Sequence, residues 1–141
     1  FYIYNLKGEL INSWNLINIS PGGQKSRHIA LNKNEIFMVD TTFNCVRVFS
    51  YKGEQIRSWG KWGIEPGNFV NPWGITIHRN IVFIADSGNN RIQVFTCHGK
   101  FILEYSNHNF RDIGEILIID NYGYVNDWKS PYITKFELLY D

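Results

Sequence analysis

The sequence predicts an all-β fold of tandem four-stranded units, the blades of a β-propeller, present as about three and a half blades. Three observations carry this. First, "VFIADSGNNRIQVF" (82–95) has a counterpart in "IFMVDTTFNCVRVF" (36–49), with Asp40 over Asp86, Asn44 over Asn90 and Phe49 over Phe95. Second, the Asp that closes this apolar run returns at 40, 86 and 127, 46 and 41 residues apart, and Phe49, Phe95 and Phe136 keep the same two spacings. Third, β-branched and aromatic residues broken by Gly or Asn replace any sustained apolar residues at helical spacing.

The units follow in order. Residues 1–15 form a half blade, because "FYIYNLKGELINSW" (1–14) matches "VRVFSYKGEQIRSW" (46–59) and "IQVFTCHGKFILEY" (92–105). Residues 27–60 form the first full blade and 73–106 the second, with strands expected at Gly74–Ile77, Ile81–Ala85, Ile92–Thr96 and Phe101–Tyr105. Residues 113–141 form an incomplete blade that keeps "GYVND" and "ITKF" and lacks a fourth strand. Gly8, Gly53 and Gly99 coincide and fall where a tight hairpin needs positive φ. "GKWGIEPGNFVNP" (60–72) is a Gly/Pro-rich connector between blades. Repetition has a physical reason: one twisted sheet cannot hide both faces, and stacking neighbours does so.

Composition bounds the function. At 44% hydrophobic and 16% aromatic the chain is globular, and its longest apolar runs are far too short for a membrane helix. A net charge of +1 gives no ground for wholesale nucleic-acid or membrane binding. Cys45 and Cys97 stand at different points of the repeat, so free thiols and a cytoplasmic location are expected. The start at Phe1, inside a strand-like run, reads as a piece of a longer protein.

The middle unit resembles the NHL repeat. The residues that carry the resemblance are "PGNFVNPWGITI" (66–77), "VFIAD" (82–86), "NNRIQVF" (89–95) and "GKF" (99–101). The first unit departs from the pattern at Ser26-Arg27-His28 and at Cys45, and the third keeps least of it. The resemblance implies a propeller that usually closes with six blades, so further blades or a second chain are expected to complete the ring. It is strongest to the NHL propellers of tripartite-motif ubiquitin ligases. That implies a non-catalytic platform, without a cofactor, that recruits a protein partner or substrate through one end face. Two other implications belong to the same superfamily: RNA binding, and a metal-dependent lyase or hydrolase.

Candidate residues divide into scaffold and site. Asp40, Asp86 and Asp127 recur once per unit, as do Gly53 and Gly99, which suits structure better than catalysis; each Asp is expected to end the second strand and bond backbone N–H groups of the following turn. No catalytic residue is assigned, for no nucleophile elbow, phosphate loop or dinucleotide fingerprint is present. No metal ligands are assigned either: the four histidines scatter over the repeat, and His28 lies one place beyond the position used by zinc-holding relatives. The binding face implied by the resemblance comprises Trp73, Arg27 and Arg91, with Lys25 and Asn90. Trp14, Trp59 and Tyr105 read as structural aromatics.

Overall fold

The structure, a computed structural model, describes residues 2–13 and 26–138. Lys25 and Trp14 lie outside them. It is all-β, and the described residues form four antiparallel sheets that do not close into a ring. The first sheet pairs β1 (Tyr2–Tyr4) with β2 (Leu10–Ser13). The second runs in the order β3 (Ser26–Leu31), β4 (Glu35–Asp40), β5 (Cys45–Ser50), β6 (Gln55–Trp59). The third runs β7 (Pro72–His78), β8 (Ile81–Asp86), β9 (Arg91–Thr96), β10 (Phe101–Ser106). The fourth has β11 (Ile113–Ile119), β12 (Tyr122–Asp127) and β13 (Ile133–Glu137). The four expected strands of the middle unit are all present, the first longer by three residues and each of the others by one.

Each blade is a meander, and its outer hairpin explains the repeated glycine. Gly53 and Gly99 have φ of 88° and 85°. Their N–H groups donate to the carbonyls of Ser50 and Thr96, and the strand register shifts just beyond each turn. This is a three-residue loop closed by a glycine bulge, a geometry that a side chain at that position would strain.

The middle blade is apolar on both faces because it is sandwiched. Along β8, Val82 and Ile84 join Phe37, Val39, Val46 and Val48 of the preceding blade in one core. The alternate residues Phe83 and Ala85 join Ile113, Ile116 and Val125 of the following blade in a second. Strand alternation thus serves two cores at once, which is why "IVFIA" reads as an unbroken apolar run. Phe69 and Phe110, at matching places in the connectors, each plug one of these cores. Trp59 packs its ring against Phe37 and Phe95, and Tyr105 packs against Phe136, so these two aromatics do bridge blades. On the far face of the third blade Leu117, Ile119, Tyr122 and Ile133 are exposed among the described residues.

The first strands β3, β7 and β11 pack side by side. Their N-terminal ends, the turns after Asp40, Asp86 and Asp127, and the connectors all lie at one end of the blades. The hairpins carrying Lys33 and His98 lie at the other.

Candidate functional site

The aligned aspartates are the hubs of the connector end. Asp86 is fully buried. Its Oδ1 accepts the Val70 N–H at 2.8 Å, and its Oδ2 accepts from Asn89 Nδ2, Arg91 Nε and Gln93 Nε2 at 2.9, 2.8 and 3.0 Å. Asp127 repeats the reach to the incoming connector, accepting the Arg111 N–H at 2.7 Å, and also accepts the Lys129 N–H at 2.9 Å. Burial pushes the Asp127 carboxyl up, but the N–H groups of Arg111, Lys129 and Asp112 outweigh it and hold it below its ordinary 3.8. Asp40 accepts the Phe43 N–H and pairs with Arg47 at 2.9 Å. Each hub therefore ties its turn, and two of them also tie a segment sixteen residues upstream.

Arg91 belongs to this scaffold. It is 7% exposed, and besides Asp86 its guanidinium donates to Glu104 and to the carbonyls of Glu65 and Asn68. Cys45 occupies the matching place in the first blade, yet that blade does not lack a guanidinium. Arg47, two residues on and so on the same strand face, supplies it to Asp40. Asn90 is also tied down. It has φ of 51°, its backbone N–H donates to the Ser87 carbonyl at 3.1 Å, and with the amide assigned so that nitrogen faces the neighbouring carbonyls, Nδ2 lies 2.9 Å from that of Arg111 and 3.2 Å from that of Ser87. Asn44 makes the matching link in the first blade, accepting the Asn71 N–H at 2.8 Å.

A second tie joins consecutive blades. The hydroxyl one residue after the hub donates to a carbonyl at the start of the next blade: Thr41 to Pro72 at 2.7 Å, and Ser87 to Ile113. The third blade writes neither tie. Trp128 stands at the hydroxyl position and Pro131 at the Asn position.

That departure shapes the end face around Trp73. Trp128 is 62% exposed and its indole meets Trp73 edge to face, centroids 6.3 Å apart and planes at 72°. On its other side Trp73 lies 5.6 Å from the ring of His28, whose Nδ1 is 3.0 Å from Glu115 Oε1. Trp73, Trp128, Ser87 and Asp112 line an open hollow of about 410 Å³. Arg27 lies in β3 beside this end; Lys25 falls outside the described residues. Of the expected face, Trp73 lines this hollow, while Arg91 and Asn90 are used within and between blades. Trp128, Ser87 and Asp112 were not singled out from sequence, although comparing the residue after each aligned Asp (Thr41, Ser87, Trp128) marks Trp128 as the odd one.

Both cysteines are free, and burial pushes both thiols up. Among the described residues no group of three or more His, Cys, Asp or Glu is placed to hold a metal ion, and no helix is long and apolar enough to cross a membrane.

Stacked antiparallel meanders with their first strands side by side define a β-propeller. Residues 69–95 match the family model of the NHL repeat, and the chain as a whole is a β-propeller segment. Three solved propellers are similar to it. A catalytically inactive virginiamycin B lyase from Staphylococcus aureus aligns with a TM-score of 0.65 and 22% identity, over 96% of this chain and 47% of that one. Glutaminyl cyclase from Myxococcus xanthus aligns with 0.59 and 14%, over 83% and 50%. BamB from Moraxella catarrhalis aligns with 0.56 and 11%, over 70% and 28%. At these identities the likeness is one of fold alone, and the chain spans half or less of each. No curated protein sequence matches it.

Proposed function

We propose that this propeller segment is a non-catalytic platform that recruits a protein partner through the connector end, at the Trp73–Trp128 hollow. The carrying observation is that two indoles converge there, one of them largely exposed, at the place where the third blade abandons the tie used by the first two. Exposed Trp in a concave, mostly apolar setting is the residue type that dominates binding energy at protein interfaces. The resemblance of the middle blade to tripartite-motif propellers extends the proposal to the substrate-recognition part of a ubiquitin ligase in a reducing, cytoplasmic setting. RNA binding draws less support, because Asp112 and Glu115 flank the indoles and repel phosphate. The lyase and the cyclase among the similar structures lend their fold and no residue.

The test compares proteins retained by the wild-type chain with those retained by Trp73→Ala, Arg27→Ala and a control at the far end, His98→Ala, after circular dichroism has shown each variant folded. The proposal expects partners kept by the control and lost by the two end-face variants. The same set retained by all four chains would refute it.

A further inference from the structure

We propose that the Trp73–Trp128 hollow receives an arginine side chain of the partner; this rests on the platform reading above and names the chemistry that the platform recognises. The argument begins with two coordinated departures from the repeat. At the position of Trp73 the third blade has Gly114, and a Cβ there would come 2.5 Å from Trp128 Nε1 and 2.7 Å from Asn126 Oδ1. Gly114 is therefore what allows the Trp128 indole to lie across the blade toward Trp73. The Trp128 N–H donates to the Asp112 carbonyl at 2.9 Å, which fixes the indole's backbone beside the Asp112 carboxylate.

The lining is selective. The largely exposed Trp128 indole, steadied by its edge-to-face contact with Trp73, offers an aromatic surface to a flat, weakly hydrated cation, and a carboxylate at the rim accepts that cation's N–H groups. Guanidinium suits both features, being planar enough to stack on the indole and forked enough to bond a carboxylate at two points. The Asp112 side chain is 40% exposed, and the cation it meets is Lys129 Nζ at a loose 3.5 Å, itself 66% exposed. Glu115, nearby, is engaged by His28. Asp112 is thus held by an exchangeable internal ammonium that an incoming guanidinium displaces.

The indole N–H resonances of Trp73 and Trp128 report on the hollow directly. The probes are a capped Gly-Gly-Arg-Gly-Gly peptide, the same peptide with neutral citrulline for arginine, and a uridine oligonucleotide. The arginine peptide is expected to move both resonances and to bind about tenfold more tightly than the citrulline peptide. Asp112→Asn is expected to erase that preference. Lys129→Ala is expected to strengthen arginine binding by removing the internal competitor, a change that a merely apolar pocket does not produce. Equal response to arginine and citrulline, or response to the oligonucleotide alone, would overturn the inference. So would partner retention that depends on Trp73 while neither peptide moves the indoles; in that case the platform stands and the arginine receptor falls.

Discussion

Replacing Asp86 by Asn probes how a blade holds its connector. The carboxylate is fully buried and receives four hydrogen bonds, one of them from the buried Arg91 guanidinium. An amide keeps the shape, removes the charge and turns an NH2 group toward donors. Arg91 is then left with Glu104, whose side chain is 37% exposed, as its carboxylate. Breaking a buried pair costs about 3–5 kcal/mol, and the remaining Glu104 contact places this case near the lower end, about 3 kcal/mol. Asp127→Asn is the matched control. Asp127 is also buried, but the hydrogen bonds to its carboxylate come from backbone N–H groups, which an amide oxygen still partly satisfies, so the cost is about 1–2 kcal/mol. Urea unfolding at neutral pH reads the difference. With a slope of about 2 kcal/mol/M, the Asp86 variant loses about 1.5 M in midpoint and the Asp127 variant about half of that. Adding Arg91→Met to Asp86→Asn is expected to restore part of the loss, since no unpaired charge then remains. Equal midpoints for the two single variants would refute the argument that the guanidinium pair makes Asp86 the stronger hub.

Two further perturbations test other parts of the fold. Phe69→Ala removes a fully buried ring that touches Phe95 between two blades and is expected to cost about 3–5 kcal/mol by urea unfolding, whereas Trp62→Ala, at an exposed site nearby, stays within about 0.5 kcal/mol. Glu35 is held below its ordinary 4.5 by the two-point contact with Arg57, whose guanidinium also reaches the Cys97 carbonyl of the next blade. A depressed carboxyl stabilises fully above 4.5 and loses that contribution as pH falls through the lowered value, so the stability gap between wild type and Arg57→Gln is expected to shrink on acidification. A gap of constant size from neutral to acid pH would contradict this.

Much of the fold was legible because blades repeat. The period, the aligned Asp, the hairpin glycines and the structural character of Trp59 and Tyr105 all follow from residues that recur in register; that the two aromatics bridge blades came from the structure. What escaped were relations between copies. The Cys45–Arg91 mismatch looked like a lost guanidinium, because alignment compares single columns. A strand presents residues two apart on one face, and Arg47 fills the gap from there. The expectation that each Asp bonds backbone N–H groups of the following turn was likewise too local: Phe43 and Lys129 donate in that way to Asp40 and Asp127, but the backbone donor to Asp86 is Val70, and Val70 and Arg111 both donate to hubs sixteen residues later in the chain. Arg91 drew attention as a basic residue near one end, yet its many donors match a crowd of carbonyls and carboxylates inside the blade. Trp73 was legible as a large side chain in a column otherwise holding Arg and Gly. Trp128 is the odd residue in the column of Thr41 and Ser87, but what that oddity means depends on the hydroxyl tie the other two make, which the column itself does not display.

The central claim is that the connector end at Trp73 and Trp128 is the working face. Site-specific photo-crosslinking tests it most directly, with a benzophenone amino acid placed at Lys129, beside the hollow, and in a second protein at His98, on the opposite end. The account predicts partner adducts from position 129 and none from position 98. Adducts from position 98 alone would place the working face at the other end of the blades and contradict it.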